Sequence, residues 1–154
     1  MSAKSHVFPY GITLKEDGVI DVFPAAEVCF PMEDGGRLSL FFLIDSGAHI
    51  SAMPLSDAAV LGIDVAAGEP MFVSGIGGAP VRGWRHTLPL FLKEERIRIP
   101  MAFLDLDNSP RVLGRAGVFD RYAVVFEEDK RRTGLLGTGS PSMKRLTKAL
   151  DSVS

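Results

Sequence analysis

The sequence has few of the features that mark disulfide-rich, membrane-spanning or nucleic-acid-binding proteins. Its 154 residues include one cysteine, Cys29, which excludes an internal disulfide and a cysteine-based metal cluster. No segment approaches the roughly eighteen consecutive apolar residues that a membrane helix needs. The formal net charge of −2 leaves no basic stripe for nucleic acid. Since MSAKSHVFPYG also lacks the pattern of a secretory signal, we expect a cytoplasmic protein with no membrane or nucleic-acid partner.

Residue patterns for several other kinds of chemistry are also missing. His6, His49 and His86 do not have metal-ligand spacing, so no metal site is expected. Ser46 as a nucleophile would need G-x-S-x-G or a nearby base, and neither is present. GIGGAP lacks the third glycine of the dinucleotide-binding pattern, and GLLGTGSPSMK lacks the ending of a phosphate-binding loop. We therefore expect neither a metal nor an organic cofactor.

Short apolar runs and apolar–polar alternation dominate the chain. They predict an all-β fold with one short helix. The predicted strands are 19–23, 27–30, 38–44, the mostly apolar AHISAMP at 48–54, two arms of a hairpin within 71–84, 87–92, 97–103 and 122–126, and 112–113 is a brief apolar pair. The run 38–44 is apolar on both faces, which predicts burial on both sides. The helix is expected in PLSDAAVLGID, with Ser56 as its cap and Gly62 at its exit.

The chain divides by pattern into three parts. Residues 1–18 are an N-terminal segment, 19–132 are one domain and 133–154 are a C-terminal tail. In the tail LLGTGSPS is loop-like, and apolar residues near helical spacing follow between 143 and 153. The tail is therefore predicted to be flexible or a short helix, with a frayed end favoured.

The stretch FFLIDSGAHISAMP, residues 41–54, contains the most informative polar residues of the chain. A carboxylate at the end of an apolar run, here Asp45, is costly unless something uses or satisfies it. Asp, Ser and Gly are ordinary turn residues, and the triplet alone favours a simple turn. The apolar residues on both sides, however, indicate that this turn is held inside the protein. Both readings, a plain turn and a functional carboxylate, remain open at this point.

Three motifs, in this order, resemble the retropepsin-like aspartic proteases, which include the retroviral enzymes and single-domain bacterial relatives. LIDSGAHIS resembles the catalytic turn, SGIGG at 74–78 resembles the tip of the flap hairpin, and VLGRAG at 112–117 resembles the Gly-Arg element beneath the turn. The resemblance spans residues 20–126 and implies a protease domain over 19–132. It also implies a closed β-barrel subunit with a flap, acting as a homodimer that hydrolyses peptide or protein substrates.

The resemblance implies a role for each matching residue. Asp45 would be the catalytic residue and would face Asp45 of a second subunit. Two close carboxylates share one proton, so one can act as base and the other as acid on a water molecule. The residues implied to support the site are Ser46, Gly47, Ala48, Ser51, Gly114 and Arg115. Those implied to contact substrate are Gly47, His49, Gly75, Ile76, Gly77 and Gly78.

The chain departs from the retroviral pattern at two places. His49 stands where the retroviral enzymes usually carry an acidic residue that pairs with the Gly-Arg arginine, so Arg115 needs another partner. The chain also continues well past YAVVF, whereas in the retroviral enzymes the chain ends build the dimer sheet. A second hypothesis is therefore kept beside the aspartic-type endopeptidase: a catalytically silent retropepsin-fold module that binds peptides or serves as a scaffold.

Overall fold

The computed structural model describes residues 2–75 and 77–153, which form twelve β-strands and two α-helices. The strands are β1 His6–Pro9, β2 Gly11–Leu14, β3 Ile20–Phe23, β4 Ala25–Pro31, β5 Arg37–Ile44, β6 Ser51–Pro54, β7 Glu69–Val73, β8 Val81–Leu92, β9 Glu95–Leu104, β10 Val112–Leu113, β11 Tyr122–Glu127 and β12 Arg132–Gly137. The helices are α1 Leu55–Val60 and α2 Pro141–Asp151. The all-β prediction is confirmed, although two of the predicted segments, the second hairpin arm and 87–92, form the single strand β8. Neither helix of the described chain is long and apolar enough to cross a membrane.

Seven strands form the main sheet, in the order β4-β5-β10-β6-β9-β8-β7. An additional pairing joins β4 to β8 through Val28↔Leu92 and Cys29↔Phe91, so the sheet curls back onto its first strand. The short strand β10 runs parallel to β5 and antiparallel to β6. It therefore lies between the two strands that flank the Asp45 turn.

The core lies inside this curled sheet and is built from alternate residues of its strands. The largest fully buried side chains of the main sheet are Phe30, Phe42, Phe103, Met53, Leu90, Leu92, Ile99, Met101, Leu113 and Val28, and β11 and β12 add Tyr122 and Leu135. For β5 the predicted burial on both faces is wrong. Phe42 and Ile44 are buried, but Phe41 is 58% exposed. Successive side chains of a strand point to opposite sides, and only one side of β5 faces the core.

The helix α1 is present where it was predicted, but the expected cap is wrong. It begins at Leu55 with Pro54 in the N-cap position, and no side chain caps it. Ser56 lies inside the first turn, because β6 runs directly into the helix through Pro54. Gly62 has φ +69° just after the helix, a conformation that favours glycine, so its role at the exit is confirmed.

The C-terminal region is more ordered than predicted. The loop-like reading of LLGTGSPS is wrong in its first half, because the strand β12 extends to Gly137 and pairs with both β1 and β11. A Cβ at Gly137 would lie 2.0 Å from the carbonyl oxygen of Ala3, so the glycine there permits close packing of the N-terminal chain. The favoured frayed end is also wrong. Ser140 accepts a hydrogen bond from the Met143 N–H at 3.1 Å and caps α2.

A network of polar side chains ties the β1-β12-β11 sheet to the turn between β8 and β9. The Glu95 carboxylate lies 2.7 Å from His6 Nε2 and accepts a hydrogen bond from the Tyr122 hydroxyl at 2.9 Å. Because an ionised carboxylate only accepts hydrogen bonds, His6 Nε2 must carry a hydrogen atom and be the donor of this bond. The backbone N–H of Lys4 lies 3.2 Å from both carboxylate oxygens.

These contacts shift two ionisation equilibria. Burial alone would raise the pKa of the Glu95 carboxyl, but the hydrogen bonds from His6, Tyr122 and Lys4 outweigh burial, and the pKa falls below its ordinary value of 4.5. Burial, followed by the bond to Glu95, raises the pKa of the Tyr122 hydroxyl. Glu95 is therefore held ionised as the shared acceptor of the network.

We predict that Glu95→Gln lowers the free energy of unfolding by about 1–3 kcal/mol near neutral pH, because its amide nitrogen cannot accept a hydrogen bond. The lowered pKa of Glu95 belongs to the folded state. Its stabilisation is therefore present above the unfolded-state pKa and is lost as the pH falls through the folded-state value. The difference between the two proteins should shrink below about pH 4.5, the ordinary carboxyl value. Urea unfolding at several pH values measures this difference in the free energy of unfolding.

The control for this experiment is Glu94→Gln. The neighbouring Glu94 side chain is 84% exposed and has only a 3.7 Å contact with Arg37. Its substitution should change stability by less than about 0.5 kcal/mol. Equal losses in the two variants, or a loss at Glu95 that does not depend on pH, would contradict the assigned role of the network.

Candidate active site

The Asp45 turn follows directly from the end of β5 and is fixed from below by two other segments. The Asp45 N–H donates to the Leu113 carbonyl of β10 at 3.0 Å, and the Ile44 N–H donates to the Pro24 carbonyl at 3.0 Å. The turn thus rests on β10 on one side and on the chain entering β4 on the other. The expectation that the whole turn is held inside the protein is wrong, because Ser46, Gly47 and His49 are exposed; only its start is anchored, through the backbone of Ile44 and Asp45.

The carboxylate of Asp45 is oriented by the turn itself. The Gly47 N–H donates to Asp45 Oδ1 at 2.8 Å, and the Ala48 N–H donates to the Asp45 carbonyl at 3.3 Å. Among the hydrogen bonds of the described chain, Asp45 Oδ2 has no protein partner. Asp45 is half-buried, and Ser46 and Gly47 are exposed. The geometry therefore presents one bound and one free carboxylate oxygen at an accessible surface.

The Gly-Arg element lies beneath this turn. Three successive N–H groups donate upward from it: Gly114 to Ser51 Oγ at 3.0 Å, Arg115 to the Ala48 carbonyl at 2.9 Å, and Ala116 to the His49 carbonyl at 2.8 Å. The Ser51 hydroxyl is fully buried and satisfies an N–H group that has no access to water. These contacts join residues 45–51 and 114–116 into one rigid unit.

Close approach of two backbones explains the glycine in this element. A Cβ on Gly114 would lie 2.6 Å from both the carbonyl carbon and the carbonyl oxygen of Ile50, and 3.0 Å from the Ala48 carbonyl oxygen. Backbone atoms cannot move aside as the end of a flexible side chain can. Position 114 therefore accepts only glycine without displacement of the turn.

Arg115 has no acidic partner at position 49, which is a histidine, and it contacts the backbone instead. Arg115 is exposed and donates from Nη1 to the Ser46 carbonyl at 3.4 Å, while His49 is also exposed. The Ser46 carbonyl thus offers Arg115 an alternative to the acidic partner that position 49 lacks. The contact is long and exposed, so its contribution to stability is small.

A partly buried ion pair that the sequence did not reveal supports the same region. Arg111 donates to both carboxylate oxygens of Asp57, from Nε at 2.7 Å and from Nη2 at 2.9 Å. The bond to Asp57 raises the pKa of the Arg111 guanidinium. The Arg111 carbonyl in turn accepts the Leu43 N–H at 2.9 Å. The one available signal was the position of Asp57, four residues before the buried Leu61 on the same helical face.

The hairpin formed by β7 and β8 carries the glycine-rich segment. Val73 pairs with Val81, and the described residues between them, 74–75 and 77–80, belong to the tip. Gly77 has φ +70°, which favours glycine, whereas Gly75 and Gly78 have open space around the position of a Cβ. Ile76, also expected to contact substrate, lies outside the described residues. The described glycines of the tip form no hydrogen bond with the unit of residues 45–51 and 114–116.

The side chains of the described residues do not offer the set of ligands that a metal ion needs. Within 2–75 and 77–153 no cluster of three or more His, Cys, Asp or Glu side chains could hold a metal ion. The structure instead provides an oriented, half-exposed carboxylate, that of Asp45. The turn that carries it is supported by backbone hydrogen bonds from Gly114, Arg115 and Ala116. Such a carboxylate can activate or protonate a bound molecule.

We predict that Gly114→Ala lowers the free energy of unfolding by about 2–4 kcal/mol, because the new methyl group collides with backbone atoms of Ile50. Chemical denaturation measures the loss. Gly78→Ala is the matched control, since nothing lies within 4 Å of its Cβ position, and it should be close to neutral. A stable, unperturbed Gly114→Ala protein would contradict the close approach.

A second prediction compares the two arginines of this region. Arg111→Ala leaves the Asp57 carboxylate without its partner and should cost about 2 kcal/mol, less than a fully buried pair because the Arg111 side chain is 37% exposed. Arg115→Ala removes only a long, exposed contact and should cost less than about 1 kcal/mol. Thermal and urea unfolding of both variants test the order, and the reverse order would refute it.

Comparisons with known proteins agree with this geometry. A family model described as aspartyl protease matches residues 31–139, a range that includes the Asp45 turn, the β7–β8 hairpin, the Gly-Arg element and β12. The chain is similar to the crystal structure of a retropepsin-like aspartic protease from Rickettsia conorii, with a TM-score of 0.58 and 18% sequence identity. The similarity covers 86% of this chain and 99% of that one, and it shows a common fold. No curated protein matches this sequence.

Proposed function

The chain belongs to the aspartyl protease family, and we propose that it is a homodimeric aspartic endopeptidase in which Asp45 meets Asp45 of a second copy. The enzyme class, an aspartic-type endopeptidase, follows from the family. The dimer, the catalytic pair and the individual site residues are the new parts of this proposal. In it each copy is a closed β-barrel subunit, and the β7–β8 hairpin serves as the flap.

The observation that supports the proposal most directly is the free oxygen of a single oriented carboxylate. The chain contains one Asp-Ser-Gly sequence. Asp34 makes the same type of turn, with the Gly36 N–H at 2.8 Å from its Oδ1, but it lies at an exposed turn between strands. Catalysis by paired carboxylates needs two of them close together. A two-fold axis beside Asp45 supplies the second one from an identical chain.

The chemistry follows from one proton shared by two carboxylates. The ionised member removes a proton from a bound water as the water oxygen attacks the peptide carbonyl carbon. The protonated member donates to the carbonyl oxygen. Collapse of the tetrahedral intermediate breaks the C–N bond. The carboxyl that took the proton from water delivers it to the leaving amine, and the other carboxylate takes back a proton from a hydroxyl of the intermediate. The pair then holds a single proton again, and its titration belongs to both carboxylates together.

The other site residues serve position and binding in this proposal. The group that would keep the carboxylate in place consists of Ser46, Gly47, Ala48, Ser51, Gly114 and Arg115. The group that would contact an extended peptide through the backbone consists of Gly47, His49, Gly75, Ile76, Gly77 and Gly78. Extended peptides bind by adding a strand to existing backbone, which suits the backbone of a glycine-rich hairpin tip and of an accessible turn.

We predict that Asp45→Asn lowers kcat/KM for peptide cleavage by about 10³-fold or more, because an amide can neither accept nor deliver the proton. The matched control is Asp34→Asn, which alters an equivalent turn away from the site and should leave kcat/KM unchanged. A peptide library assayed between about pH 3 and pH 8 covers the working range of a shared-proton pair. Binding of a pepstatin-type inhibitor to the wild type provides an independent measurement.

A mixing experiment tests the shared site. Excess Asp45→Asn protein added to the wild type should inhibit it, because mixed dimers contain one carboxylate where two are needed. Full activity in a strictly monomeric wild type would contradict the dyad. A wild-type dimer that binds peptide but cleaves none of the library would instead support the silent peptide-binding module.

A further inference from the structure

The strands β2 and β3 form a two-stranded hairpin that pairs with no other strand of the described chain. Three of its aliphatic side chains are largely solvent-exposed: Ile12 by 73%, Leu14 by 71% and Ile20 by 65%. An isolated two-stranded hairpin is marginally stable in water, and large exposed aliphatic side chains are unfavourable there. A covering surface would stabilise this hairpin.

The register shows that the exposed side chains share one face. Ile12 pairs with Val22 and Leu14 pairs with Ile20, so these four side chains point the same way. We call Ile12, Leu14, Ile20 and Val22 the apolar hairpin face. The opposite face is polar towards the tip, where Thr13 pairs with Asp21 and Lys15 Nζ lies 3.4 Å from Asp21 Oδ2. The hairpin is therefore amphipathic. The face with Thr13, Lys15 and Asp21 suits contact with water, and the apolar hairpin face suits contact with protein.

The root of the hairpin lies beside the Asp45 turn. β3 leads through Pro24 into β4, and the Pro24 carbonyl accepts the N–H of Ile44, the residue before Asp45. Ala25 pairs with Leu43 at the same end of β5. The hairpin and the catalytic turn thus emerge at one end of the same pair of strands.

We propose that the apolar hairpin face docks on a second copy of this chain, an inference that rests on the proposed function. Each copy would then contact its partner through this face, beside the two Asp45 turns. A two-fold axis at Asp45 brings the partner to the end of β5 where the hairpin projects. An isologous contact also places two hairpins at the interface, one from each copy. The hairpin is thereby a dimerisation arm.

The area that a stable dimer interface needs favours a second copy of the chain as the occupant of this face. A stable interface buries about 800 Å² on each partner, with an apolar centre. The Asp45 turn offers a carboxylate, a hydroxyl and glycine backbone, which is little apolar surface. The apolar hairpin face next to it supplies the missing aliphatic side chains. Its burial would contribute to association in proportion to the area removed from water.

A bound peptide is a poorer occupant for this face. In the proposed function the peptide lies between the Asp45 turn and the tip that follows β7. The residues proposed to contact it lie in the Asp45 turn and in the β7–β8 tip, and none of them belongs to the apolar hairpin face.

The test is the dimer dissociation constant of Leu14→Ser/Ile20→Ser, measured by sedimentation equilibrium. We expect it to rise by at least about tenfold, since each dimer loses four apolar contacts. The turnover of whatever dimer remains at high protein concentration should match the wild type. Two controls should leave dimerisation unchanged: Thr13→Ala on the polar face, and Val60→Ser on α1, an aliphatic side chain that is 56% exposed elsewhere.

A measurement on the wild type does not depend on any variant folding. Hydrogen exchange of the amides in residues 12–22 should slow as the protein concentration rises across the dimer dissociation constant. Concentration-independent exchange, or a double variant that dimerises as well as the wild type, would overturn the inference. So would an unchanged dimer with a raised KM, since the face would then contact substrate.

The same data separate this inference from the proposed function. Asp45→Asn should abolish cleavage and keep the dimer, because Asp45 lies outside the apolar hairpin face. If the wild type cleaves no peptide but the hairpin variant loses dimerisation, the dimerisation arm is supported and the proposed protease activity is refuted. Cleavage by a wild-type dimer that the hairpin variant does not weaken refutes the arm and leaves the protease standing.

Discussion

The placement of β10 between β5 and β6 is the constraint on which the Asp45 turn depends. Val112 pairs with Leu43 on one side and with Ala52 on the other, so the strands before and after the turn are held apart by a third segment. That segment comes about sixty residues later in the chain than the turn it supports. A turn anchored in this way keeps its shape only in the folded domain, which is why a short peptide with the same residues would not reproduce it.

Buried polar contacts make the base of the site rigid, while its rim remains open. Ser51 satisfies the Gly114 N–H in the interior, and Asp57 holds Arg111, whose carbonyl binds β5. Removing Ser51 or Arg111 leaves a buried partner, the Gly114 N–H or the Asp57 carboxylate, without its hydrogen bond. Asp45 lies on top of these contacts and is half-exposed. The protein thus combines a precisely held carboxylate with access for a ligand, as preorganised catalysis requires.

The sequence predicted those elements whose information is local and missed those defined by distant partners. Alternation and short apolar runs located most strands between residues 19 and 126, and a carboxylate after an apolar run located Asp45. β12 was missed because Gly134 and Gly137 resemble loop residues, although Gly137 is small to accommodate Ala3. β1 and β12 pair with each other from opposite ends of the chain. The ion pair of Asp57 with Arg111, 54 residues apart, likewise exists only in the fold.

The two roots of the β2–β3 hairpin connect these separate regions. On one side Tyr10 follows β1 and donates its N–H to the Arg131 carbonyl at 2.9 Å, next to the sheet fixed by the network around Glu95. On the other side Pro24 binds the strand that carries Asp45. A hairpin fixed at both roots loses less conformational freedom on docking than a free arm would. Its direction is also tied to the Asp45 turn, so an interface formed by the hairpin would set the relative position of the two Asp45 carboxylates in the proposed dimer.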